Sequence, residues 1–124
     1  MTTVTYDQSS QDLHDQLCTF RQDQIRSEAH FAVLLARFAK ARGFKARGFG
    51  SMVDYADAQL HLTARQTKTL IRLGRHLPEF PLLRGALDVG ELGTAKADML
   101  FRVIDQDNEA EWVSYAAQVS CKTL

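Results

Sequence analysis

Four basic residues, Arg65, Lys68, Arg72 and Arg75, recur at i, i+3, i+7 and i+10. If that stretch is helical, the spacing puts all four side chains on one stripe. A cationic stripe on one helix face suits phosphate binding and, in its N-terminal turns, contact with base edges. The preceding residues supply the frame for such a helix. His61-Leu-Thr63 reads as a three-residue turn, Thr63 as an N-cap and Gln66 as the partner in a capping box. Residues 51–77 therefore have the form helix, turn, helix, with Thr67, Leu70, Ile71, Leu73 and Leu77 largely around the side away from the stripe. In this reading Arg65 and Lys68 meet bases, Gln66 and Thr69 also reach them, and Arg72, Arg75, Lys45 and Arg47 hold phosphates. The competing reading is a solvated basic face on an ordinary bundle.

The charge along the chain agrees with that placement. Formal net charge is zero, yet residues 1–36 carry −3, residues 37–76 carry +7 and residues 77–124 carry −4. A concentrated basic segment is the electrostatic footprint of a polyanion partner, here double-stranded DNA. The alternative is that the acidic flanks fold back and cancel the field.

Other chemistry is poorly supported. The Gly-rich segment Gly43-Phe-Lys-Ala-Arg-Gly-Phe-Gly50 has no preceding strand and no Walker-type Gly-Lys-Ser/Thr, which argues against a nucleotide site. His14, His30, His61 and His76 are scattered, and His14 with Cys18 makes only one i,i+4 pair, so neither a metal nor another cofactor is expected. No nucleophilic triad or Cys/His elbow is visible. The acidic run 105–111 reads as a solvated loop and helix start, with Asn108 as a cap and Glu109 and Glu111 complementing the helix dipole. Phe101, Trp112 and Tyr115 read as packing residues.

With 124 residues, two prolines, 45% hydrophobic residues and sparse β-branching, one all-α domain is expected. Its parts are a long N-terminal helix, the helix-turn-helix-like pair and a C-terminal helical cluster around Leu87, Leu92, Leu100, Val103 and Trp112. Residues 1–42 form the helical arm and 43–124 the DNA-binding-like domain. Residues 1–8 read as frayed, and the first helix runs from about Ser9 or Ser10 to Arg42. Along it Leu13, Leu17, Phe20, Gln24, Ser27, Phe31, Leu34 and Phe38 alternate in steps of four and three, a heptad seam with a polar interruption. So long a helix lacks cover from a small body, which predicts a homodimer through this seam. Later helices are expected at about Pro81–Val89, with Gly90 closing the first, then Thr94–Ile104 and Asn108–Val119, and a start of another after Ser120. Polar MTTVTYDQSS is unlike a signal peptide, no apolar run reaches a membrane span, and Cys18 and Cys121 read as reduced thiols of a cytoplasmic protein.

From Ala41 onward a pattern of spaced positions adds a further reading. Gly48-Phe-Gly-Ser51 with Tyr55, Leu60-His-Leu-Thr63, Arg72-Leu-Gly-Arg75, Leu77 and Pro81 begin it. Leu83-Arg-Gly-Ala-Leu87, Gly90-Glu-Leu92, Lys96-Ala97, Arg102-Val103 and Glu111-Trp112 continue it. Over about two thirds of the chain this resembles the helical region ahead of the nuclease domain in bacterial HNH endonuclease-like proteins. The resemblance implies a helical, DNA-associated module that precedes a zinc- or metal-dependent nuclease. Two departures stand out. The His-Asn-His elements are absent, so no catalytic residue carries over and this chain alone is not expected to cut DNA, as a fragment or a stand-alone relative. His61 also occupies the turn position usually held by glycine. Against the general helix-turn-helix pattern, Asp57 stands where a small apolar residue is usual.

Overall fold

A computed structural model describes residues 2–120 and Leu124, with residues 2–8 described by their backbone alone. Seven helices and no strand occur among the described residues: α1 Thr2–Lys40, α2 Gly43–Ala46, α3 Met52–Leu60, α4 Ala64–His76, α5 Pro81–Asp88, α6 Thr94–Leu100 and α7 Glu109–Gln118. A single 3-10 turn, Leu77–Glu79, joins α4 to α5. The expected all-α architecture is the one observed, with α1 starting earlier than the capping serines suggest. The helix expected after Ser120 falls mostly outside the described residues, as does Cys121; Cys18 is a free, exposed thiol.

At 39 residues α1 is about 58 Å long; residues 9–24 are exposed, and burial among the described side chains begins at Ile25. Ile25, Ala29, Ala32 and Leu35, at helical spacing, bury one narrow face against α4 and α5. The buried face is therefore not the heptad seam, which lies further round the helix. Small side chains explain the choice. Ala29 and Ala32 are fully buried, and Gly74 of α4 crosses so near that an added Cβ would lie 1.9 Å from the Ala32 carbonyl oxygen. Close crossing lets α4 bury Thr67, Leu70 and Leu73 on the same seam.

Punctuation between helices follows local chemistry. The chain leaves α1 through Arg42, which itself adopts the left-handed conformation at φ 57°. α1 thus ends at Lys40, ahead of the Gly-rich segment, and Gly43 opens the short α2 and is glycine for space: a Cβ there would lie 2.3 Å from Phe38 Cε2. Ser51 caps α3, its hydroxyl accepting the Asp54 N–H at 3.1 Å. Thr63 and Gln66 form the full capping box of α4, with Thr63 Oγ1 accepting from Gln66 N at 3.1 Å and Gln66 Oε1 from Thr63 N at 2.9 Å. At Gly90, φ 80°, the Gly90 N–H donates to Leu87 O and the Glu91 N–H to Ala86 O, the paired bonds of a Schellman ending.

The C-terminal cluster differs from expectation in three places. Leu87, Leu92 and Leu100 are in the core, but Val103 is 46% exposed, because α6 ends at Leu100 and a turn carries the chain outward, and Trp112 on α7 is only half-buried. Asn108 does not cap α7 with its side chain: its Oδ1 accepts from Asp105 N at 2.7 Å and its Nδ2 donates to Val103 O, folding the loop on itself. Glu109 is not solvated but buried, and its Oε2 accepts the backbone N–H groups of Leu82 at 2.6 Å and Leu83 at 3.0 Å. A carboxylate from α7 thus satisfies the first turn of α5, whose own N-cap residue Phe80 has no side-chain acceptor. Lys96 makes the reverse connection, donating to the Ala116 and Val119 carbonyls at the end of α7.

Candidate nucleic-acid interface

Two local devices position α4. His61 closes α3 in the left-handed region (φ 57°, ψ 39°), turning the chain, and the Thr63–Gln66 box starts α4 after Leu62. The glycine usual at such a turn is thus replaced by a residue that adopts glycine-like backbone geometry. Thr67 Oγ1 donates to Thr63 O at 2.9 Å, so this buried hydroxyl is satisfied. On a 100° helical wheel Arg65, Lys68, Arg72 and Arg75 fall within about 80° of one another, well away from Thr67 and Gly74.

All four cations are exposed, but they are not equivalent. Arg72 Nε lies 2.8 Å from Asp98 Oδ1 and Nη2 lies 2.8 Å from Asp98 Oδ2. This two-point hydrogen bond, and then the charge of Asp98, raise the guanidinium pKa above its already high value. Arg72 therefore stays charged while a carboxylate offsets its field. Among the described residues Arg65, Lys68 and Arg75 have no carboxylate partner. Lys45 on α2 is likewise exposed, and among the described residues it has no carboxylate partner. Arg47 is tied to its own loop: Nη1 donates to Gly43 O at 3.1 Å, and its guanidinium carbon sits 5.5 Å above the Phe38 ring. That ring packs on Tyr55 with centroids 4.7 Å apart, and Tyr55 meets Phe49 at 5.5 Å, so both loop phenylalanines are part of the anchoring, Phe44 by its contact with the core.

Gln66 and Thr69 stand apart from the stripe. The Gln66 carbonyl is occupied by the capping box, and Thr69 is half-buried. Both, with Arg65 at the rim, line an open cleft of about 410 Å³ between α4 and α1, whose apolar floor includes Phe31, Leu62, Leu70 and Leu73. The cleft, the Asp98 partner of Arg72 and the buried Glu109 were not marked by any local spacing. Each joins residues 26 or more positions apart.

Elsewhere the chemistry is sparse. His14 Nε2 and Cys18 Sγ approach to 3.7 Å on the exposed part of α1. Among the described residues no group of three or more His, Cys, Asp or Glu side chains is placed to hold a metal ion. Nor is any described helix long and apolar enough to cross a membrane. No family model matches the sequence, and comparisons with curated proteins and with solved structures give no match.

Proposed function

We propose that this chain is a DNA-binding helical module that presents α4 to duplex DNA, with α3 and α4 acting as a helix-turn-helix-like pair. The observation that carries this reading is the solvent-open trio Arg65, Lys68 and Arg75 on one face of a rigidly capped helix. Arg65 and Lys68, in the N-terminal turns, face bases, with Gln66 and Thr69 at the margin; Arg75, Arg72, Lys45 and Arg47 serve the backbone. The spaced pattern from Ala41 to Trp112 supports a relationship to the helical region that precedes HNH nucleases. The sequence lacks the His-Asn-His elements, and the activity proposed is binding.

A second reading is supported by a different observation. Leu13, Leu17 and Phe20 on α1 are 58, 70 and 67% exposed, an apolar strip on a helix projecting from the body. Such a strip favours self-association through α1, as a homodimer that delivers two copies of α4 or as an interaction module with no nucleic-acid role. A mobility shift with duplex DNA at low salt separates the two. Binding that the triple change Arg65→Ala, Lys68→Ala and Arg75→Ala removes supports the DNA module. A self-associating chain that shifts no DNA leaves the interaction module.

A further inference from the structure

We propose that the homodimer is antiparallel and that each copy seats Phe20 in the α1–α4 cleft of the other, an inference that rests on the self-association reading above. On the helical wheel Leu13, Leu17, Phe20 and Phe31 lie within about 60° of one another. The exposed strip of the arm thus runs straight into the cleft, since Phe31 is part of the cleft wall. Leu34, also exposed, extends the same strip toward the end of α1.

The seam has one self-complementary antiparallel register. When Gln24 lies against the partner's Ser27, the polar interruption of each helix is met by that of the other. Leu17 then meets the partner's Leu34, and Phe20 meets the partner's Phe31 above a floor formed by Leu62, Leu70 and Leu73. Flanking charges agree. Arg21 and Glu28 have no ion-pair partner within their own chain among the described residues. The register brings Arg21 beside the partner's Glu28, twice by symmetry. A parallel pair would instead set Asp23 beside the partner's Glu28, two like charges. The antiparallel overlap, Leu13 to Phe38, spans about 39 Å at 1.5 Å per residue, enough to cover the otherwise bare arm. Lys68 and Arg75 lie about 60–80° further round α4 than Arg65, by the 100° wheel, and stay open beside the occupied cleft.

Disulfide trapping tests the register. In a Cys18→Ser, Cys121→Ser background, chains carrying Leu17→Cys are mixed with chains carrying Leu34→Cys and oxidised, alongside sedimentation of each variant. The expected result is a mixed disulfide in excess of either like-with-like product. Arg21→Glu should raise the dimer Kd by roughly tenfold, and the added Glu28→Arg should restore it. Phe20→Asp should give a monomer of unchanged helicity, because this ring is largely exposed in the single chain. Predominant Leu17–Leu17 trapping overturns the antiparallel register while leaving self-association standing. A chain that sediments as a monomer at all concentrations overturns both, and a Phe20→Asp variant that still dimerises removes the cleft as the seat.

Discussion

The guanidinium of Arg72 and the carboxylate of Asp98, 26 residues apart, meet through two hydrogen bonds of 2.8 Å each. The pair joins α4 to α6 and subtracts one cation from the exposed stripe. Its contribution to stability is small, since Arg72 is half exposed and such pairs are worth about 0–1 kcal/mol. Its electrostatic consequence is larger. Asp98→Ala should tighten binding to duplex DNA at low salt and steepen the log–log salt dependence by about one, the share of a single released phosphate contact. Titrations at several salt concentrations, wild type against variant, measure it.

Glu109 has the opposite character: its contribution is to folding. Replacing it by Ala leaves the Leu82 and Leu83 N–H groups at the start of α5 without their acceptor. The loss should be about 2–3 kcal/mol, with Glu109→Gln less severe because its carbonyl still accepts. Chemical denaturation of both variants checks the order. Binding to DNA at temperatures where they remain folded should not change, because Glu109 is remote in sequence and type from the cationic stripe.

Gly74→Ala tests the crossing of α1 and α4. The new Cβ would lie 1.9 Å from Ala32 O and 2.8 Å from Val33 N, both backbone atoms that cannot swing aside. The helices must separate, opening the packing around Leu70 and Leu73, at a cost of about 3 kcal/mol or more. Thermal unfolding should show a large drop in Tm. Gly85→Ala, where an added Cβ meets nothing within 4 Å, is the matched control and should be neutral or slightly stabilising.

How far these relationships were legible in the sequence depends on their range. Several caps were readable because they act within three or four residues: Ser51, Thr63 with Gln66, and Gly90 stand where their types require, whereas Asn108 spends its side chain on its own loop and Ser9 and Ser10 lie inside α1. The breadth of the α1 face was not. A heptad of large residues, Leu13 to Phe38, draws attention before the smaller set Ile25, Ala29, Ala32 and Leu35, yet the small set is buried because Gly74 demands close approach. Charge spacing located the stripe of α4, but the partnership of Arg72 with Asp98 depends on tertiary placement that no periodicity encodes. The same holds for Glu109, whose position near the start of α7 suggests its own helix dipole while its oxygen serves α5.

His61 offers a substitution with the opposite sign. A side chain at φ 57° carries a strain of about 1–2 kcal/mol relative to glycine, eased for His by its tolerance of this region. Part of that gain is returned through the greater freedom of glycine in the unfolded chain. His61→Gly should therefore raise stability by about 0.5–1 kcal/mol, read from the denaturant midpoint at unchanged m. Since His61 is exposed and the turn keeps its backbone path, DNA affinity should be preserved.

The salt dependence of DNA binding follows from the count of cations that are free. Six basic residues on α4 and the 43–50 loop would give a log–log slope near −5, at about −0.9 per phosphate. Two are already engaged: Arg72 with Asp98, and Arg47 with the Gly43 carbonyl and the Phe38 ring. Of the four that remain, Arg65 and Lys68 go to bases, so Arg75 and Lys45 are the free phosphate contacts and the expected slope is about −2 for one chain. Arg75→Ala should flatten it by about one and weaken all sequences alike. Arg65→Ala and Lys68→Ala should instead reduce discrimination between sequences, by about 1–3 kcal/mol for each side chain withdrawn from a base edge. A slope near zero would place binding outside this stripe altogether.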